Sequence, residues 1–453
     1  MAPALSTRFV AVVLWSLAAG CGGSGGGSRG TGAGGASAAA SGEVLADFSL
    51  PLQHISGFGA SSAWTLRDAS DAFADQLFSV ENGIGLSLLR VRIAPSGMTD
   101  ELGTARQAIA RGASVWAAPW SPPGAWKSNG TDNHGGRLLP EHYGDWAERL
   151  ASFVADMDRQ GVPLVQLSAQ NEPNWVAEWE TCEWSETELT SFVRDELGPR
   201  LADLGLGTRV LAPETNDWNT VAKYGNALLN DADAAEQVGA IATHAYGNRS
   251  PYAYAAPAQH GKELWETEVS DPERTFDAGI DSALRVARMI HDHLTIAQVN
   301  AWHYWWLVPN GNNAPDNSAL TQGGELTRRA YALGNWSRFV RPDFVRVQAT
   351  AAPRRGVAVT AFRDGENQRI VVVAINENTT EQRQSFTLSG SRVSRVTPWL
   401  TSASLALASA EPLAVVDGQF SAELPARSIS TFVGDASPDE VPPTGAGGAP
   451  VTP

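Results

Sequence analysis

The sequence holds only two cysteines, Cys21 and Cys182, in 453 residues. So few thiols exclude a disulfide framework and a Cys/His cluster with zinc spacing, and leave stability to the hydrophobic core. Long apolar runs are scarce too: beyond FVAVVLWSLAAG near the start, no segment is long and apolar enough to span a bilayer. Positive charge is in deficit. Thirty-three Lys and Arg against 49 Asp and Glu leave a formal net charge of −16, which argues against nucleic acid or an anionic membrane surface as the main partner. No serine elbow between a strand and a helix is present, and no HExxH. One residue type is in excess: 16 Trp against 7 Tyr, a supply of flat apolar faces larger than a core needs.

The ends of the chain read as processing and tethering segments. Residues 1–21 have the form of an export signal, with Arg8 before an apolar stretch and small residues before Cys21. SLAAGC resembles a lipoprotein cleavage box, with Ala18 where Leu is usual, so Cys21 is the expected lipidation site. The protein is expected to be exported, as a cell-surface lipoprotein or a secreted protein, touching membrane only through that lipid. Residues 22–43 read as a Gly/Ser-rich tether and 435–453 as a tail of similar character. The folded part is then 44–434, expected as a monomer.

Between 55 and 340, short apolar runs alternate with helical patterns. The runs are HISGFGA, LSLLRVRIAP, SVWAAPW, LVQLSAQ, RVLAPE, AIATHAY, KELWETE and NAWHYWWL. Eight such units predict an α/β fold, a (β/α)8 TIM barrel. A doubly wound sheet is the alternative, though no Gly-rich phosphate loop follows the first strand. From 341 to 434 the pattern becomes short alternating strands with turns, a β-sandwich side domain, which residues 44–54 could join.

In a barrel, chemistry sits at the carboxyl ends of the strands. Read in order, those ends supply Trp64; Arg92; Trp120; Asn171 and Glu172 of LSAQNEPNW; Glu214; His244 and Tyr246; Glu266 and Glu268; then Trp302, Tyr304, Trp305 and Trp306. Carboxylates, an amide and an imidazole ringed by indoles are the equipment of glycoside hydrolysis: two carboxyl groups for catalysis and ring faces for stacking on sugars. Positions 266 and 268 share one face of a regular strand, so periodicity does not choose between them.

GFGASSAW, LSLLRVRIAPSG, VWAAPWSPPGAWKSNG, LSAQNEPNW, ETCEW, ATHAYG, LWETEVS and YALGNWSRFVRPDFVRV, in this order, resemble glycoside hydrolase family 30, most of all its bacterial xylanase branch. The resemblance covers nearly all of 44–434. It implies a retaining endo-acting hydrolase of a plant cell-wall polysaccharide, with no metal or other cofactor. It makes Glu172 the acid/base and Glu268 the nucleophile, and assigns sugar contacts to Asn171, His244 and Tyr246. Trp64, Trp120, Trp175, Trp302, Tyr304 and Trp305 are candidate sugar contacts. Trp179, a further candidate sugar contact, stands where that branch usually shows Tyr, and Cys182 is expected to be buried and inert. Glucuronate-dependent members carry an Arg soon after the paired tryptophans of the last strand. Here WWLVPNGNNAPDNSALTQGGELTRR offers none before Arg328 and Arg329. The implied activity is therefore endo-β-1,4-xylanase without strict glucuronate dependence. Endo-β-1,6-galactanase or glucanase activity, and a dead barrel that only binds carbohydrate, are the alternatives. The last is disfavoured because both glutamates are present.

Overall fold

The computed structural model describes residues 42–311 and 317–436. The expected export signal, Cys21, nearly all of the tether and all but the start of the tail lie outside the described residues. Among those described, no helix is long and apolar enough to cross a membrane.

Strand β1 (Glu43–Ile55) precedes a closed barrel of eight parallel strands: β2 (Gly57–Ser61), β3 (Leu88–Ile93), β4 (Ser114–Pro119), β5 (Leu164–Ser168), β6 (Arg209–Leu211), β7 (Val238–His244), β8 (Glu263–Val269) and β9 (Ala301–Trp306). Each strand carries two faces. In β3, Leu89, Val91 and Ile93 pack against the surrounding helices, while Leu88 joins the core inside the barrel. That alternation sends Arg90 and Arg92 inward as well. The helices bury one stripe each: Tyr143–Arg159 covers Trp146, Leu150, Phe153, Val154 and Met157, at helical spacing.

The barrel interior is built from indoles set against alanines. Trp116, Trp120 and Trp265, with Trp305 packed against them, lie among Ala118, Ala240, Ala242 and Ala301. Large rings fit only where facing positions are small. His303 fills the centre: it accepts from Trp116 Nε1 at 3.0 Å, and its Nδ1 lies 3.2 Å from the Glu266 carbonyl. Burial pushes its pKa down to about 3, so it is a neutral core ring. Gly59 makes room for it, since a Cβ there would meet the imidazole at 2.6 Å and the Leu88 carbonyl at 2.5 Å.

A two-stranded ribbon, β10 (Thr321–Gln322) and β11 (Glu325–Leu326), follows the barrel. The rest is the sandwich: β12 (Phe344–Ala349), β13 (Val357–Arg363), β14 (Arg369–Asn376), β15 (Gln382–Ser389), β16 (Arg395–Thr401), β17 (Ala408–Ser409), β18 (Leu413–Ala414), β19 (Gln419–Leu424) and β20 (Ser428–Asp435). Its sheet order is β17-β16-β20-β14-β13-β12-β1-β15-β19. The run HISGFGA is thus two strands: His54 and Ile55 end β1, paired with Val345 and Phe344, and Gly57 opens the barrel.

Barrel and sandwich share a tight seam. From the helix Arg328–Ser337, Asn335 donates to Thr401 Oγ1 (2.7 Å) and accepts from Thr431 Oγ1 (2.9 Å). Trp336 is fully buried and donates to Thr360 Oγ1 at 3.2 Å. Arg288 pairs with both oxygens of Glu377. Trp399 is tied into this seam against Phe339 and Arg338. Trp336→Ala is expected to cost about 3–5 kcal/mol of unfolding free energy. In urea, tryptophan fluorescence and far-UV circular dichroism should still report one coincident transition; two separate transitions would mean the seam does not couple the domains.

Candidate active site

A charged residue in the middle of an apolar strand organises the barrel mouth. Arg90 has no solvent exposure. Its guanidinium donates to Glu268 Oε2 and to Asn171 Oδ1 (2.5 Å), and pairs with Glu214 Oε1 at 2.7 Å. Its faces rest against Trp120, Trp116 and Trp305, whose ring centres lie 4.5, 5.2 and 5.5 Å away. Burial works against this charge; the carboxylates of Glu214 and Glu268 outweigh it and raise the arginine's pKa.

Glu172 and Glu214 stand just past β5 and β6 with φ of +47° and +57°, in the left-handed region that non-glycine residues avoid. The two are joined through the backbone, Glu172 N donating to the Glu214 carbonyl at 3.0 Å. Such strain concentrates at functional sites, where the surroundings hold it in place. Glu172 Oε1 accepts from Asn216 Nδ2 at 2.6 Å and lies 2.9 Å from His244 Nδ1. Its second oxygen has no hydrogen-bond partner among the described residues. Glu214 is fully buried, with Ser168, Arg90 and His244 around its carboxylate. Burial would raise its pKa, but Arg90 and His244 pull it below the usual range.

His244 sits between three carboxylates, 2.9 Å from Glu172, 3.4 Å from Glu214 and 3.8 Å from Glu268. Burial alone would lower its pKa. The negative charges of Glu268, Glu172 and Glu214 win and lift it to about 10, so the ring is cationic and donates from both nitrogens. Burial raises the pKa of Glu268, and Glu172 adds to this, while His244 and Arg90 oppose. Carboxylate oxygens of Glu172 and Glu268 and a His244 nitrogen lie within 4.8 Å of one another. A metal ion could be held at that spacing, but Arg90 and protonated His244 already supply two positive charges to the same oxygens. The donor set does not suit a further cation.

The structure brings Glu172, Glu268, Asn171, His244 and Tyr246 together, with Trp120 and Trp305 beside them. Tyr246 stands edge-on to His244, its hydroxyl 3.4 Å from Ser270 Oγ and facing the Glu268 charge. Trp64 (37% exposed) meets Trp120 edge-on at 4.7 Å, and Trp175 (48%) and Trp179 (53%) project from the loop after β5. Trp302 and Tyr304 do not belong to the cleft. Alternation along β9 turns both outward, where they are fully buried: Trp302 Nε1 donates to His293 Nδ1, and the Tyr304 hydroxyl donates to the Asn317 carbonyl. Neither ring keeps a face for a sugar. Arg92, read as a strand-end residue, lies one layer above the carboxylate cluster and is paired with Glu180. Arg90, one inward step deeper, holds the place that strand ends alone assigned to Arg92. Its signal was present, as a charge inside LLRVRI.

Glu266 and Glu268 do not share a face. The register slips between the pairs Thr243–Glu266 and His244–Glu268, an irregularity in β8 that turns Glu266 outward and Glu268 inward. Glu266 is buried between barrel and helices, accepting from Trp218 Nε1 at 3.0 Å, and burial holds its pKa well above the usual range. Cys182 is fully buried, its thiol pushed up to about 12 by burial, as expected of an inert residue.

Comparison with known proteins gives the same picture over the whole folded part. Residues 99–317 match the glycosyl hydrolase family 30 TIM-barrel domain, and residues 345–432 the beta sandwich domain of the same family. The chain is 33% identical over 410 residues to glucuronoxylanase XynC of Bacillus subtilis, covering 87% of this chain and 92% of that protein. This protein belongs to glycosyl hydrolase family 30. Among solved structures, the family 30 subfamily 8 xylanase Xyn30A from Clostridium acetobutylicum matches with a TM-score of 0.79 at 34% identity, covering 87% of this chain and all of that one. A family 30 endoxylanase from Clostridium papyrosolvens C71 matches with a TM-score of 0.75 at 33% identity over the same share of each. The family's two domains account for a barrel followed by a β-sandwich in one chain.

A histidine raised from about 6.5 to about 10 stabilises the fold fully below pH 6.5, and that contribution is lost as pH rises towards 10. The stability difference between the wild type and His244→Asn should therefore be largest near pH 6 and shrink steadily to pH 10 in urea titrations. A difference independent of pH would show that the ring is not cationic in the fold.

Proposed function

We propose that this family 30 glycoside hydrolase is a retaining endo-β-1,4-xylanase with no strict need for glucuronate branches. The observation that carries the mechanism is the approach of Glu172 and Glu268 to within 4.8 Å across the cleft, with Arg90 donating to Glu268 and not to Glu172. Retention needs carboxyl groups about 5–5.5 Å apart; inversion needs a wider gap that admits water.

Glu268 is the nucleophile, its Oε2 held by Arg90. Glu172 is the acid, with one oxygen engaged by Asn216 and His244 and the other open to the leaving group. In the first step a Glu268 oxygen bonds to the anomeric carbon while the bond to the leaving oxygen breaks, and the Glu172 proton passes to that oxygen. In the second step Glu172, now ionised, takes a proton from water. The water oxygen bonds to the anomeric carbon, and the ester to Glu268 breaks. Two inversions give net retention. Asn171, oriented by Arg90, is placed to bond the sugar hydroxyl beside the reacting carbon, and Trp120, Trp305, Trp64, Trp175 and Trp179 supply stacking faces.

The xylan assignment rests on similarity to a protein named glucuronoxylanase and to xylanase structures. Independence from glucuronate rests on the segment after β9. Arg329 there is fully buried and spent on Asn317 and the Asp277 carbonyl, and Arg328 reaches the Ala403 carbonyl of the sandwich. Residues 312–316, NNAPD, carry no cation. Glucuronoxylan and arabinoxylan lacking glucuronate should therefore be cut at comparable rates. Cleavage of glucuronoxylan alone would overturn the independence, and cleavage of β-1,6-galactan alone would move the substrate.

Glu268→Ala should abolish turnover with the fold intact. Glu172→Gln should lose at least about a hundredfold on xylan, the usual worth of a general acid, while sparing the first step on substrates whose leaving group needs no proton. Equal losses of Glu172→Gln on activated and natural substrates would remove Glu172 as the acid.

A further inference from the structure

We propose that Glu101 is a positioning residue for the sugar-binding rim: its buried carboxylate fixes Trp64 beside Trp120 and sets Arg92 at the same edge of the cleft. This deepens the polysaccharide reading above and rests on it.

Glu101 precedes the helix Leu102–Ala110, at the position where a side chain ordinarily caps the first turn, yet it makes no such bond. It turns back to the barrel instead. Oε1 accepts from the Trp64 backbone N–H at 3.1 Å, and Oε2 accepts from the Arg92 N–H at 2.9 Å and from Ser62 Oγ at 3.0 Å. The carboxyl is 2% exposed and bonds none of the groups in the Glu172, Glu214 and Glu268 cluster. Burial lifts its pKa to about 7 against the pull of those three donors and of the Arg92 charge. A buried carboxyl group that neither caps its helix nor joins the cluster acts through what it holds.

It holds the backbone of an aromatic residue in an unfavourable conformation. Trp64 has φ +59°, a region a bulky side chain enters only when its surroundings fix it there. In that conformation the indole stands 4.7 Å from Trp120 and 6.3 Å from Trp305, with the Arg92 guanidinium 5.0 Å from its ring centre. Arg92 in turn donates from two nitrogens to Glu180, on the loop that carries Trp175 and Trp179. One carboxylate therefore ties the platform on the β2 side of the cleft to the aromatic loop after β5.

Glu101→Gln places an amide N–H against a backbone N–H and should release Trp64. On xylan, KM should rise about fivefold or more while kcat changes less than about twofold, the signature of lost binding common to ground and transition states. The effect should vanish in a Trp64→Ala background, where the glutamine adds nothing further. The near-UV circular dichroism of the Trp64–Trp120 pair should be lost equally in Glu101→Gln and Trp64→Ala, a readout that needs no substrate. Glu101→Asp, which keeps the charge but withdraws it by one carbon, should repeat the pattern and serves if the glutamine variant does not fold. A KM effect that persists undiminished without Trp64, a preserved near-UV band, or a fall in kcat with KM unchanged would each overturn the proposal. Failure of the wild type to cut xylan would overturn the substrate reading alone, because the spectroscopic arm still tests Glu101.

Discussion

A guanidinium sealed inside a barrel is stable only if its charge is met where it lies, since removing one ion from water costs several kcal/mol. Arg90 meets that condition with two carboxylates, an amide oxygen and three indole faces. The groups that satisfy it are the groups the proposed chemistry uses. Glu268 is aimed by it, Asn171 is oriented by it, and Glu214 bridges it to His244. Two cations, Arg90 and His244, face the three carboxyl groups of Glu172, Glu214 and Glu268. In the proposed first step Glu268 gives up its charge to the ester as Glu172 gives up its proton, so the two changes offset. The proton moves without the buried site ever gaining net charge, which is what a low-dielectric cleft requires.

The rest of the fold delivers these groups to one height. Inward positions of β3 step from Leu88 through Arg90 to Arg92, so one strand supplies core, cluster and rim in successive layers. The irregularity in β8 supplies a half-step, sending Glu266 out among Trp218 and His293 and bringing Glu268 in. Left-handed backbone at Glu172 and Glu214 does the same at the ends of β5 and β6. The indole-and-alanine packing beneath makes the irregularities tolerable, because a rigid floor fixes the strands from which they depart.

What the residues alone revealed follows from this division. Apolar runs with helical patterns between them were enough for the barrel and the sandwich, because burial dictates both periods. Strand ends carrying Glu172, Glu268, His244 and Tyr246 were legible because NEP and WETE interrupt apolar runs. Three things were not. Arg90 was passed over for Arg92 because strand ends were read as the site, whereas the cluster reaches one layer down. AWHYWW gives no phase that separates Trp302 and Tyr304 from cleft aromatics; only the register with β2 and β8 says which rings point out. The separation of Glu266 from Glu268 depends on a register slip, and an irregularity leaves no trace in a hydrophobic pattern of period two. Periodicity leaves the two equivalent; the strand register shows that Glu268 is the one that faces inward.

Charge at the mouth bears on the substrate. The whole chain is acidic, −16 in formal charge, so a polyanion approaches against a repulsive field. Arg92 at the rim is cancelled by Glu180, Arg329 behind β9 is buried and saturated by Asn317 and Asp277, and Arg328 is drawn to the sandwich. A cation already bound to a carboxylate or to carbonyls must give up those bonds to take a substrate carboxylate, and the exchange gains little. Trp175 and Trp179 offer open indole faces with no such competitor, and stacking on a sugar ring costs no desolvated charge. Under the proposed reading, a cleft whose described cations are paired and whose aromatics are open suits an uncharged polysaccharide backbone better than its acidic branches.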